Sequence, residues 1–380
     1  MTWPIKKLGE VLDYEQPSKY IVASKNYSSD YKTPVLTAGK TFILGNTNEK
    51  ENIFPADKLP VIIFDDFTTA TQFVDFPFKV KSSAMKILHP KKDKADAKYI
   101  FYLMQTIKLN HATHKRFWIS EYSEIEIPMP PIEEQKKIVT RLEKMLAKIK
   151  EAKQLLNKAQ ESTKSILSAE LHKIFEEGKF KGWEEKSILE VTELVTKGTT
   201  PKTLGYAFTN SGVPFLKAEN VNGGKIDAIS IKTFISNQVH DILSRSKTKP
   251  GDVLMTIAGT IGRIGWVTSD ASEMNMNQAV AIIRPMSDII FTQYLAYILS
   301  AGVTQGQVSS GTVKGAIPNF SLGMIKKLMI PLPPIEEQKK IVTRLDALSE
   351  KIKKLQEYQN QTQEDLVSLE RSILHNTFAN

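Results

Sequence analysis

The chain has no cysteine. Disulfides and thiolate metal sites are excluded, and a cytoplasmic location is the expectation. No apolar run nears the roughly 20 residues that a membrane-spanning helix needs. The opening MTWPIKKLGEVLDYE lacks the apolar core of a secretory signal. No G-x-x-x-x-G-K-S/T phosphate loop occurs, so ATP binding is not expected. No Asn/Asp-Pro-Pro-Tyr/Phe segment occurs either, the usual surround of a flipped adenine in amino-methyltransferases. His111 and His114 stand three apart without further ligands at zinc spacing. Asp65-Asp66 lacks the further acid and lysine of a metal nuclease and reads as a turn or strand end. His172 and His375 read as helix-packing residues rather than catalysts. These absences argue against a catalytic site.

What is present is a duplication. IPMPPIEEQKKIVTRL at 127–142 returns as IPLPPIEEQKKIVTRL at 330–345, an offset of 203 residues with one difference, Met129 against Leu332. In each copy the Pro-Pro step closes an extended segment, and Glu-Glu suits the first turn of a helix. Apolar residues then recur at alternating spacings of four and three. The first series is Ile138, Leu142, Met145, Ile149, Ala152, Leu156, Ala159, Thr163, Ile166, Glu170. The second is Ile341, Leu345, Leu348, Ile352, Leu355, Gln359, Thr362, Leu366, Leu369, Ile373. This 3.5-residue period predicts a coiled-coil seam. Each helix should run about 44 residues, or about 66 Å. The segment between them leaves the end of one helix and enters the start of the other. Antiparallel helices bring those two points together, so an antiparallel pair with a pseudo-two-fold axis is expected.

The segments before the two repeats are related more weakly. Trp3 to Val11 aligns with Trp183 to Val191, LPVIIFDD (59–66) with KPGDVLMT (249–256), and SSAMKIL (82–88) with NQAVAII (277–283). Tyr99 aligns with Tyr294. Short β-branched strands, Gly, Asn and Pro turns and one short helix near 95–108 or 288–300 predict two α+β bodies. Net charge follows them. Residues 1–131 hold 18 basic and 15 acidic residues, net +3, and residues 179–330 hold 16 and 11, net +5, of a total of +9. A basic balance there points to a polyanion such as nucleic acid.

PPIEEQKKIV at 130–139 and 333–342, KPGDVLMTIAGTIGRIG at 249–265 and Asn277-Gln278 resemble the specificity (S) subunits of type I restriction–modification systems. The resemblance covers essentially the whole chain. The first body, with FDDFTTATQFVDFPFKVKSSAMKIL at 64–88, departs from the second and resembles another specificity class of the same domain family. The resemblance implies target-recognition domains at 1–131 and 179–332, each reading half of a split DNA site. It implies spacer helices at 132–178 and 333–380 that set the unread gap. The chain itself would be non-catalytic and would bind no cofactor. It would dock two methyltransferase (modification) subunits, and motor-nuclease (restriction) subunits would join for restriction. S-adenosylmethionine, ATP and Mg would belong to those partners.

A base reader needs donors and acceptors on short rigid turns, with cations on the same face for the phosphates. In the first body, Lys40, Thr68, Thr69, Gln72, Lys79, Lys81, Ser82, Ser83, Lys115 and Arg116 answer that description. In the second they are Lys197, Thr199, Thr200, Lys202, Lys217, Asn220, Lys225, Thr256, Thr260, Arg263, Asn277, Gln278 and Lys314. Asn277-Gln278 could pair with adenine, and Arg263 suits guanine or phosphate. On the helices, Glu133, Glu134, Gln135, Glu336, Glu337 and Gln338 are expected to dock the methyltransferase. Two other readings stand beside this one. One is a DNA methyltransferase or nuclease with disguised motifs. The other is a coiled-coil interaction protein without sequence-specific DNA binding.

Overall fold

The computed structural model describes residues 3–37, 41–107, 117–301, 306 and 320–378. They form two compact units, Met1–Lys158 with Gln359–Asn380, and Ala159–Tyr358. Each long helix contributes to both units.

In the first unit β1 (Ile5–Lys7) pairs with β9 (Glu126–Pro128). A four-stranded antiparallel sheet runs β2 (Leu12–Glu15), β8 (Met85–Pro90), β5 (Val61–Asp65), β6 (Thr71–Val74). A three-stranded sheet runs β4 (Ile43–Thr47), β3 (Thr33–Leu36), β7 (Lys79–Val80), with β3 and β7 parallel. The second unit repeats all three sheets. Its two-stranded sheet is β10 (Glu184–Ser187) with β18 (Met329–Leu332). Its four-stranded sheet is β11 (Thr192–Lys197), β17 (Val280–Pro285), β14 (Val253–Thr256), β15 (Ile264–Trp266). Its three-stranded sheet is β13 (Phe234–Ile235), β12 (Val213–Leu216), β16 (Asn275–Met276), again with one parallel pair. The strand order matches throughout, so the weak sequence alignment marks a real structural duplication.

The central strands are apolar on both faces because both faces are covered. Alternate residues point to opposite sides of a sheet. In β5, Ile62 and Phe64 pack with Tyr99, Ile100 and Leu103 of the short helix Ala97–Met104. Val61 and Ile63 pack the other way, with Leu36, Phe54, Phe78 and Val80. In β14, Val253 and Met255 meet Tyr294, Leu295 and Ile298 of the short helix Thr292–Ser300. Leu254 faces Leu216 and Met276. An ion pair with a fully buried carboxylate secures this sheet. Asp252 accepts Arg284 Nε at 2.7 Å and Nη2 at 2.8 Å, and the Lys249 amide at 2.7 Å. Asp252→Ala strands the guanidinium, so a loss of about 3–5 kcal/mol is expected in urea unfolding. A loss below about 1 kcal/mol would refute that role.

The long helices are Ile132–Phe180, 49 residues, and Ile335–Phe378, 44 residues. Both start at the second proline of the repeat. Pro131 O accepts the Glu134 and Gln135 amides at 2.9 and 3.1 Å, and Pro334 O those of Glu337 and Gln338 at 2.8 and 3.0 Å. The first helix continues two residues past the expected 178. Its stop is a glycine device: Gly182 takes φ +70°, and the Trp183 amide reaches back to Gly178 O at 3.1 Å. A β-carbon on Gly178 would lie 2.1 Å from the Trp183 ring, so only glycine admits that fold-back.

Within each unit the helix segments run antiparallel. In the first, Leu142 and Met145 share a core with Ile373 and Phe378, and Lys153 pairs with Glu370. In the second, Glu170 pairs with Arg344 and Lys181 with Glu337 at 2.6 Å, while Leu171 and Phe175 pack with Ile341 and Leu345. Leu142, Ile149, Thr163, Ile341, Leu345 and Gln359 of the predicted seam are buried. Ala159, Leu355 and Leu369 are exposed instead. A straight helix drifts about 20° per heptad from a 3.5-residue repeat, which carries some seam positions out of cover. His172 and His375 are also exposed, which corrects their reading as packing residues.

Candidate nucleic-acid interface

In the second unit backbone bonds draw three segments together. The Gly198 amide donates to Val280 O at 3.2 Å, Thr199 to Met276 O at 3.1 Å and Asn277 to Leu216 O at 3.1 Å. A β-carbon on Gly198 would sit 2.0 Å from Met276 O, so glycine is required for that approach. The junction gathers polar side chains from separate loops. Arg245 Nη2 donates to Thr199 Oγ1 at 3.3 Å, and Thr200 Oγ1 donates to Gln278 Oε1. Gln278 is exposed, Lys197 and Asn277 are half-buried, and Asn277 Oδ1 accepts the Ala279 amide at 3.2 Å. The Lys202 and Lys217 ammonium groups each lie 5.8 Å from the centre of the Phe208 ring. One aromatic ring thus steadies two cations.

A second tie joins the 217–225 loop to the β14–β15 turn. Arg263 Nη1 donates to Asn222 Oδ1 at 3.1 Å, and both residues are exposed. Asn222 Nδ2 donates to Glu219 O at 2.9 Å, and Asn220 Oδ1 accepts the Lys217 amide at 2.9 Å. Thr260 and Lys225 are exposed nearby along the chain. Thr256, expected to read DNA, is completely buried. Its hydroxyl donates to Thr260 O at 2.6 Å and accepts the Arg263 amide at 2.9 Å. It staples the turn that carries Arg263 and offers nothing to a base.

Arg245 and Phe208 were not singled out from the sequence. Arg245 sits in a tight turn, Ser244–Ser246, over a buried network. Ser246 Oγ donates to Asn275 Oδ1 at 2.6 Å, and Asn275 Nδ2 donates to Leu243 O at 3.1 Å. The clustered Arg245, Lys247 and Lys249 were the available signal. Lys247 is engaged with Asp241 at 2.6 Å, and that contact holds the Asp241 carboxyl below the usual carboxylate range.

In the first unit the corresponding β5–β6 turn is closed by Asp65. Its carboxylate accepts the Phe67 and Thr68 amides at 2.9 and 3.0 Å, and Thr69 takes φ +58°. Thr68 is exposed, while Thr69 and Gln72 are half-buried. Asp66 is buried against Lys86 at 3.5 Å and accepts the Trp118 amide at 2.9 Å. The acidic pair is therefore a turn and a core contact, and the described residues contain no group of acids and histidines fit for a metal ion. Lys81 reaches the Tyr27 hydroxyl at 3.4 Å, beside exposed Ser82 and Ser83. Lys79 is a correction. It is buried, with its ammonium on Glu49 at 2.8 Å and Glu51 O at 2.9 Å, and cannot reach a phosphate. The same contact lowers the Glu49 carboxyl pKa from its ordinary value. Lys40, Lys115, Arg116 and Lys314, with His111 and His114, lie outside the described residues.

The docking set divides. Glu133 and Glu336 are exposed and Glu134 and Glu337 half-exposed at matching positions. Gln135 and Gln338 are completely buried, and their amides are used within the fold, so neither can meet a partner.

Strand-rich bodies with cations on their turns each lead into one of two repeated long helices, and this arrangement accompanies a clear family match. The chain belongs to the family described as the type I restriction modification DNA specificity domain, whose model matches residues 1–161 and 180–362. It is 32% identical over 351 residues to the type I restriction enzyme EcoR124I/EcoR124II specificity subunit of Escherichia coli, covering 89% of this chain and 85% of that one. It is 24% identical over 377 residues to the MjaVIII specificity subunit of Methanocaldococcus jannaschii, covering 91% and 86%. Among solved structures it matches one reported under complex assembly and conformational transition of the type I R-M system, with TM-score 0.73, 20% identity and 99% and 97% coverage. It also matches the HsdS subunit from Thermoanaerobacter tengcongensis, with TM-score 0.55, 19% identity and 99% and 96% coverage. Both structural likenesses are of fold. Among the described residues no helix is long and apolar enough to cross a membrane.

Proposed function

We propose that each unit reads one half of a bipartite DNA site and that the paired long helices set the unread gap. The chain carries no active site of its own. Two methyltransferase subunits dock on the helices, with Glu133, Glu134, Glu336 and Glu337 in their contact surface. Those subunits bring S-adenosylmethionine, and motor-nuclease subunits bring ATP and Mg where restriction occurs. The reading rests on one observation: identical sheet orders carry different side chains at their exposed turns. The first body offers exposed Thr68 and Ser82, with half-buried Lys81 next to Ser82 in the chain and half-buried Gln72 on the adjoining strand. The second offers Lys202, Lys217, Arg263 and Gln278, with Arg245 beside them. Shared scaffold and divergent surface are what two readers of different half-sites require.

Selection from a randomised duplex library by the chain with its methyltransferase, followed by footprinting, tests this. Two protected patches are expected, separated by a gap of fixed length and no preferred base. One continuous patch, or no enriched sequence, would contradict the bipartite reading. Adenine methylation by the purified chain alone would contradict its non-catalytic role.

A further inference from the structure

A buried polar contact that the two units share lies away from the reading loops, at the joint between reader and long helix. Gln135 Nε2 donates to Pro130 O at 2.8 Å and to Lys94 O at 3.0 Å, while its Oε1 accepts the Asp96 amide at 2.8 Å. Gln338 Nε2 donates to Pro333 O at 2.9 Å and to Ile289 O at 3.0 Å, while its Oε1 accepts the Phe291 amide at 2.8 Å. Both side chains are completely buried. Asp96 and Phe291 are the capping residues of the short helices Ala97–Met104 and Thr292–Ser300. Further along those helices, Tyr99 and Tyr294 donate their hydroxyls to Pro128 O and Pro331 O, each at 2.8 Å.

The glutamine amide supplies two N–H donors and a carbonyl acceptor, and all three are used. A cap for the long helix would need fewer. The additional bonds run to the segment that starts the reader's short helix. In one unit that segment is Lys94-Ala95-Asp96, and in the other it is Ile289-Ile290-Phe291. The clasped sequences differ completely, yet the bond lengths agree within 0.1 Å. What the two joints have in common is the tie itself: the start of the long helix is bound to the start of the reader's short helix. Neither glutamine is exposed to DNA or to a partner, so its effect on recognition must pass through geometry.

We propose that Gln135 and Gln338 are positioning residues for bipartite reading: each locks its reader's angle on the long helix and so registers its half-site against the unread gap. This rests on the bipartite reading above. The test uses the assembled methyltransferase and duplexes that keep both half-sites while the gap changes by one or two base pairs. Gln135→Ala and Gln338→Ala are expected to reduce the preference for the native gap by about tenfold, the effect of one or two net hydrogen bonds, without changing either half-site. Tyr99→Phe removes one hydroxyl of the joint, keeps the ring packing and should relax the gap in the same direction by less. If Gln135→Ala fails to fold, Tyr99→Phe decides. Equal loss of methylation at every gap length, or unchanged gap preference in folded variants, would overturn the positioning role. A wild-type assembly that ignores gap length would instead overturn the bipartite reading itself.

Discussion

Inserting seven residues into each long helix is expected to change the length of the target site and leave both half-sites as they were. Suitable insertion points follow Lys158 and Tyr358, where the division between compact units falls. Packing inside each unit is then untouched. Seven residues make one heptad, about two helical turns, so the seam keeps its phase. At 1.5 Å per residue the helix grows by about 10.5 Å, or about three base pairs of duplex. Methylation should move to sites with a gap longer by about that number, with a loss of about a hundredfold or more on the original spacing. An insertion of four residues in each helix is a useful contrast, because it breaks the seam phase and should lower activity at every spacing. Altered half-site bases in the seven-residue variant would contradict the assignment of reading to the strand-rich bodies.

Replacing Lys202, Lys217, Arg245 and Arg263 together by alanine is expected to produce the second large effect. Among the described residues Lys202, Arg245 and Arg263 have no ion pair, and Lys217 has a loose one at 3.9 Å with Glu219. For every phosphate no longer neutralised, the slope of log affinity against log salt falls by about 0.9. The four together should reduce the slope by about three to four and specific affinity by about a hundredfold or more. Enrichment of the half-site read by the first unit should survive. Lys164→Ala provides the control, since Lys164 is paired with Glu161 at 2.6 Å on the helix surface. An unchanged slope in the fourfold variant would remove this surface from the DNA interface.

The duplication was legible because two kinds of pattern survive in a sequence. Pro-Pro-x-Glu-Glu-Gln marks a helix start by local chemistry alone, and both helices begin there. The β5 and β14 runs announce strands by their β-branched residues, and the structure shows each dividing its residues between two cores. What escaped depends on contacts between residues far apart. Lys79 in β7 and Lys81 just after it are two residues apart, yet Lys79 is buried on Glu49 while Lys81 stays half-exposed beside Tyr27. Thr256 and Thr260 differ in the same way, because one hydroxyl closes the turn whose tip carries the other. Gln135 looks like its charged neighbours in sequence but points inward, since 3.6 residues per turn sets it on the apolar side of the helix. Arg245 enters the interface through a buried Ser246–Asn275 contact that spans 29 residues, which no local pattern displays.

The central claim is that one chain reads two separate half-sites at a fixed distance. Mapping methylated adenines across a genome in cells that carry this chain and its methyltransferase tests it most directly. The account predicts a single bipartite motif with two dissimilar specified ends and a gap of constant length and free composition. A continuous motif, two independently methylated short motifs, or a gap of variable length would contradict it.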